Sequence, residues 1–267
     1  HLFETSPLLI MAHCEDTSII NENIANFKKK YKGQNDFPVR YHSRIRSTEA
    51  CYASTALAVR MAEETGARLH VAHLSTAKEL ELFKSGPLEQ KRITAEACIA
   101  HLMFSSEDYD SLGTKIKCNP AIKTVEDREA LRQALTNGLI DVVATDHAPH
   151  TFDEKNTTMK KAPFGIVGLE TAACLTYSEL VAKGYLTPMQ MAERMSYNPA
   201  KIMKFEQGDI QPGKMADIVV FDPNKKYKID KNKFLSKGKN TPFHGREVTG
   251  KVKYTFCQGE LVYEDYE

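Results

Sequence analysis

Tryptophan is absent from the 267 residues, and no apolar run approaches the roughly 20 residues that a membrane-crossing helix needs. Nothing resembles a basic start followed by an apolar stretch and a small-residue cleavage site, so the expected location is the cytoplasm, with no membrane partner. An excess of one charge is missing too: 36 Lys and Arg face 35 Asp and Glu, for a net charge of +1. Without a basic face or interleaved aromatics, a nucleic-acid partner is not expected. The one locally basic stretch, residues 225–239, is broken by Asp230 and Gly238 and reads as a solvated loop. The 6 cysteines, scattered and without a CxxC pair, argue against a disulfide framework or a zinc ribbon and for reduced thiols. The chain opens on His1 with an apolar strand a few residues later, which reads as a chain entered in mid-domain.

What is present is a repeating cycle. Hydrophobic residues make up 42% of the chain, enough for one large core and a smaller appendage. Leu8-Leu9-Ile10-Met11-Ala12 is too short for a helix and suits a strand buried on both faces. A polar, Lys-bearing segment follows, then a helical pattern over residues 47–65 capped by Ser47 or Thr48 and closed by Gly66. The cycle then gives a strand at 68–73, a helix at 76–85 stopped by Gly86-Pro87, a strand at 92–96, a helix at 125–137 and a strand at 141–146. Such alternation implies parallel pairing through right-handed crossovers, and four units are half of an eightfold barrel. Helices are expected at 169–183 and 187–205. Beyond them, short strands within 208–222 and 251–263 separated by Gly and Pro turns indicate a second, all-β unit. The expected division is a partial (β/α)8 barrel over residues 1–205 and a small β-sandwich segment over residues 206–267.

Three side chains that can bind metal, His13, His73 and Asp146, fall at the C-terminal ends of expected parallel strands, where barrel enzymes build their active sites. A lone histidine at a strand end is more often a hydrogen-bonded structural residue, and Asp146 alone could cap a turn. Their common placement reverses that weighting. Period-2 alternation puts Val71 with His73, and Val142 and Ala144 with Asp146, on the barrel interior, and turns His70 toward the helices. Imidazole and carboxylate suit Zn²⁺, which brings water to reactivity near neutral pH. His42, His101 and His244 have no partner pattern and read as surface or packing residues, and His147 as structural.

Thr145-Asp146-His147-Ala148-Pro149-His150 resembles the signature of class I dihydroorotases of the amidohydrolase superfamily. Ala12-His13-Cys14-Glu15, His70-Val71-Ala72-His73-Leu74-Ser75-Thr76, Lys117-Cys118-Asn119-Pro120 and Ala162-Pro163-Phe164-Gly165-Ile166-Val167-Gly168-Leu169-Glu170 are similar to further blocks of that family, in its order. Ile210-Gln211-Pro212-Gly213-Lys214-Met215-Ala216-Asp217 begins a stretch similar to the superfamily's C-terminal β-sandwich return. The resemblance implies a binuclear Zn²⁺ site in which His13 and His73 hold one metal, and Asp146 binds the other and acts as general base and acid. It also implies that Asn119 and His150 hold the substrate carboxylate and ring polar groups, that the backbone at Phe164 and Gly165 contacts the ring, and that the loop 151–162 lies over the site. Without the family, Asn119 reads as a turn residue, His150 as a surface-loop histidine and Phe164-Gly165 as a simple loop.

The same resemblance implies reversible hydrolysis of dihydroorotate to N-carbamoyl-aspartate, and it leaves open a homodimer and an association with aspartate transcarbamoylase. The family's His-x-His pair, its bridging carboxylate or carboxylated lysine and its upstream Arg and Asn have no counterpart here. Partial or absent metal occupancy, and inactivity of the isolated chain, are therefore expected. Two other readings stand beside this one: a dihydropyrimidinase, hydantoinase or allantoinase, and a non-catalytic dihydroorotase-like scaffold. His150 favours an anionic substrate over the first, and retention of His13, His73, Asp146 and His150 together speaks against the second.

Overall fold

A computed structural model of the chain describes residues 1–34 and 36–266. Four short strands, β1 (Ile10–Ala12), β2 (Leu69–Val71), β3 (Ile93–Cys98) and β4 (Val142–Ala144), pair in parallel in the order β1-β2-β3-β4. Sequential order without strand swaps is what short right-handed crossovers produce. The register sets Met11, His70 and Thr94 in one row, and Ala12, Val71 and Ala95 in the next.

Three helices dominate the crossovers. α1 (Thr17–Lys30) is capped by Asp16, whose carboxylate accepts from the amides of Ser18 and Ile19 at 2.8 and 3.0 Å. α2 (Thr48–Thr65) starts on Ser47 and ends at Gly66, whose φ of 71° is the left-handed turn that glycine tolerates best. α3 (Val125–Thr136) opens on a capping box between Thr124 and Asp127. Val59 and Ala62 of α2, and Leu131, Ala134 and Leu135 of α3, share the main core with Ile10, Leu69, Val71, Ala95, Ala97 and Val143. A satellite core of Ile20, Phe37, Ile45, Ala50 and Met159 sits under α1.

Several expectations need correction. The polar segment after His13 is α1, signalled by its Asp16 cap and by Ile20, Ile24 and Phe27 facing the satellite core. The helix expected at 76–85 is only a 3-10 turn, Lys78–Leu82. Its opening amides are taken by side chains instead: Thr76 by the Glu79 carboxylate, and Ala77 by Asp127 at 2.8 Å. The face assignment of β2 is reversed: Leu69 and Val71 join the core shared with α2, while His70 lies on the opposite face, bonded to Thr94 and Glu96. Period-2 alternation ends with the strand at Val71, and the positive φ of 38° at His73 redirects its side chain.

In the last third, helical turns run through Leu169–Thr171, Ala172–Thr176 and Tyr177–Val181, and again from Pro188–Ala192 to Asn198–Met203. The segment after them forms one antiparallel sheet, β5 (Ile218–Lys228), β6 (Glu247–Cys257) and β7 (Glu260–Glu264), in that order. β5 begins later than expected and takes in part of the basic stretch read as loop: Lys226, Tyr227 and Lys228 pair with Thr249, Val248 and Glu247. Pro223 falls in the register break between Asp222 and Lys226, where a missing amide proton costs no ladder bond. The sheet is seated closely, because Gly250 leaves room for the rings of Phe221 and Tyr177, which a Cβ would meet at 2.5 and 2.9 Å. Among the described residues no helix is long and apolar enough to cross a membrane, and all six cysteines are free thiols.

Candidate active site

The C-terminal ends of β1 and β2 bring two imidazoles into contact. His13 follows β1 directly, and its Nδ1 lies 2.9 Å from Nε2 of His73. On the other side of the His13 ring, Nε2 is 3.1 Å from a Glu15 carboxylate that is 2% exposed. Glu15 is also bound by the Arg46 guanidinium. Burial pushes the Glu15 carboxyl up, but the His13 hydrogen bond and the charges of Arg46 and Lys123 outweigh it and hold the group below its usual range. An ionised Glu15 fixes the proton on Nε2 and turns the Nδ1 lone pair of His13 toward His73, the orienting role that carboxylates play behind metal-binding histidines.

His73 is buried, and burial together with His13 lowers its basicity, while the nearby Asp146 and Glu96 charges work in the opposite direction. A neutral imidazole is the form that binds metal. Its turn is held by Glu79, whose carboxylate accepts from the Ser75 and Thr76 amides, from Thr76 Oγ1 at 2.9 Å and from Thr55 Oγ1 at 2.7 Å. Asp146 is exposed, beyond the end of β4. Both His73 and Asp146 have positive φ, 38° and 45°, a costly conformation that the surrounding structure must impose and that gathers at functional sites.

These donors fit part of a metal shell. His13 Nδ1 and His73 Nε2 converge, and the buried Nδ1 of His73 has no other partner among the described residues. Yet no group of three or more His, Cys, Asp or Glu among the described residues is placed to enclose a metal. The set matches two ligands with Asp146 near, not a closed site.

A second group lies beside the first. His150 Nε2 is 2.9 Å from the Phe164 carbonyl. Gly165 packs so tightly against Ala148 that a Cβ would meet its Cβ at 2.5 Å and its carbonyl at 2.7 Å, and His150 Nε2 at 3.3 Å. The amide of Gly165 donates to the Lys117 carbonyl at 3.0 Å, tying this loop to the segment that carries Asn119, whose buried Oδ1 has no partner among the described residues. The Phe164 ring, 44% exposed, stacks on His42 at 5.7 Å and lies under the Arg46 guanidinium at 5.1 Å. Arg46 thus touches both groups, through Glu15 on one side and Phe164 on the other.

Sequence reasoning missed Glu15, Arg46 and Glu79 as supports. The carboxylate two residues after His13 and the Thr76-x-x-Glu79 spacing are usable local signals, whereas Arg46 reaches the site only through the fold. His147 is structural as expected, accepting from the amides of Gly168 and Leu169 at 3.2 and 3.1 Å. His42 and His101 are buried packing residues, bonded to the carbonyls of Cys118 and Pro120 at 2.9 Å each.

Residues 5–262 match the model of the Amidohydrolase family. The chain belongs to that family. Among curated relatives, the dihydroorotase of Pelotomaculum thermopropionicum is 38% identical over 260 residues, covering 97% of this chain and 59% of that protein. The dihydroorotase of Bacillus subtilis is 41% identical over 259 residues, 96% of this chain and 58% of that protein. Among solved structures, the L-hydantoinase (dihydropyrimidinase) of Arthrobacter aurescens superposes with a TM-score of 0.89 at 28% identity, over 97% of this chain and 58% of that one. The chain therefore spans a little under three fifths of the length of these relatives.

Proposed function

We propose that this chain is the C-terminal part of a dihydroorotase, which hydrolyses the cyclic amide of dihydroorotate reversibly to N-carbamoyl-aspartate in pyrimidine biosynthesis. In this reading the parallel sheet is the second half of a (β/α)8 barrel over residues 1–205, and residues 206–267 are part of a β-sandwich. The observation that carries it is the convergence of His13 and His73 at 2.9 Å on the ends of neighbouring strands, in a chain 38–41% identical to dihydroorotases.

His13 and His73 would hold one zinc of a binuclear pair and Asp146 would belong to the other, with the remaining ligands supplied by a segment outside this chain. Zinc, when bound, supplies charge that polarises the amide carbonyl and acidifies the attacking water. Asp146 takes the proton from that water at its carboxylate and returns it to the leaving ring nitrogen, which an exposed carboxylate without a hydrogen bond among the described residues is suited to do. His150 and Asn119 receive the substrate carboxylate and ring polar groups, and the backbone at Phe164 and Gly165 lies along the ring. The substrate is a small molecule handled in the cytoplasm. A homodimer, or association with aspartate transcarbamoylase, fits this reading without bearing on the chemistry.

The test is ring opening and closure at about neutral pH with zinc, comparing this chain with a protein extended upstream through the missing barrel strands. Turnover of dihydroorotate by the extended protein alone is the expected result. The resemblance to a solved hydantoinase favours a second reading, a hydrolase of uncharged dihydropyrimidines. Turnover of dihydrouracil but not dihydroorotate establishes that reading instead, and turnover of neither leaves a scaffold.

A further inference from the structure

The loop that carries Phe164 and Gly165 is anchored from behind by two buried lysines. The Lys155 ammonium, 2% exposed, spends its three protons on the carbonyls of Lys117 at 2.9 Å, Pro163 at 3.0 Å and Gly165 at 2.8 Å. Lys117, also 2% exposed, donates to the carbonyls of Met159 and Ala162 at 2.5 and 2.6 Å, and its ammonium lies 4.4 Å from the centre of the Phe164 ring. Buried ammonium groups ordinarily face carboxylates. Here carbonyl dipoles receive them, with the Phe164 ring beside Lys117.

The ionisable surroundings leave the charge largely uncancelled. Lys155 is influenced by Lys117, a like charge, and by Cys118, a thiol that burial pushes up to about 12 and so leaves neutral. Lys117 feels Asp36, whose carboxylate is already occupied by the amides of Met159 and Lys160, and the like charge of Arg46. Burial pushes both amines down to about 8, which leaves them mostly protonated at neutral pH. Two positive charges therefore stand directly behind the backbone of residues 163–165 and beside the segment bearing Asn119.

We propose that Lys117 and Lys155 are positioning residues that also set specificity: they fix the Phe164-Gly165 backbone and bias the site toward a ring bearing a carboxylate over a neutral ring of the same size. This rests on the function proposed above. A neutral residue able to donate hydrogen bonds could hold the loop equally well. Charge adds an attraction in a water-poor setting that a neutral anchor lacks.

The test uses the extended, zinc-loaded protein and two competitive inhibitors: orotate, and orotamide, which keeps the ring and replaces the carboxylate by an amide. In Lys155→Gln the preference for orotate over orotamide falls at least tenfold, whereas Lys155→Arg, which keeps the charge, retains the preference within threefold even where both ligands bind less well. Equal weakening of both ligands in Lys155→Gln, or an unchanged preference, overturns the proposal and leaves the lysine a structural anchor. If Lys155→Gln does not fold, Lys117→Gln carries the same test, with a smaller expected shift because Asp36 offsets part of that charge. A parent protein that neither binds orotate nor turns over dihydroorotate refutes the underlying function instead, a result distinguishable because it appears before any substitution.

Discussion

The two ends of β4 each carry an aspartate, and their surroundings are opposite. Asp141, at the N-terminal end, is 3% exposed; its carboxylate is held by Lys91 Nζ at 2.7 Å and the Ala95 amide at 3.1 Å, and its carbonyl by Asn198 at 2.8 Å. Asp146, past the C-terminal end, is exposed, sits at a φ of 45° and has no hydrogen bond on its carboxylate among the described residues. One end of the sheet spends its polar groups on holding the fold together, and the other leaves them available. Barrel enzymes divide their two faces in this way, with stability at the bottom and chemistry at the top.

The comparison can be broken by substitution. The largest stability effect belongs to the closed end: Asp141→Ala leaves the buried Lys91 charge without its carboxylate, with only the Gly138 carbonyl to receive it, and should cost about 3–5 kcal/mol in a urea unfolding titration. Next comes acid sensitivity. Burial pushes His42 and His101 down to about 3 from an unfolded value of 6.5. The unfolded chain therefore binds more protons between those values, and stability present above pH 6.5 is lost as pH falls toward 3, by up to about 1.4 kcal/mol per pH unit per histidine. Unfolding midpoints between pH 7 and 5 should show this loss, and His101→Gln should make the slope shallower.

Smaller effects come from the open end. Gly165→Ala places a Cβ 2.5 Å from that of Ala148 at a φ of +133°, and a loss of about 1–3 kcal/mol is expected, with weakened substrate binding. Glu15→Gln removes the charge that orients His13 and should reduce zinc affinity about 10- to 100-fold by competition with a chromogenic chelator, with little change in secondary structure by circular dichroism. Smallest in stability is Asp146→Ala, expected within about 0.5 kcal/mol of the parent, because its carboxylate holds no group among the described residues.

Much of this was legible in the residues. Apolar runs bounded by Gly, Pro and capping residues located all four parallel strands, and the strand ends pointed to His13, His73 and Asp146 because the parallel sheet places successive C-terminal ends side by side. Strand faces were less legible. Period 2 holds only while the backbone stays extended, and the turn at His73 lies outside it. Long-range polar support was not legible at all: Arg46 meets Glu15 and Phe164, and Lys155 meets Lys117, only after the chain has folded, and a lysine that ends up buried reads in sequence like any surface lysine. The Lys226 to Lys228 stretch shows the same limit, since pairing with β6 overrides its loop-like composition.

The most direct test of the account is dihydroorotate turnover and thermal unfolding measured together on Asp146→Ala in the extended, zinc-loaded protein. The account predicts a loss of about 10²- to 10⁴-fold in kcat with an unchanged melting temperature. Retained turnover, or a melting temperature lowered as far as that of Asp141→Ala, would contradict it.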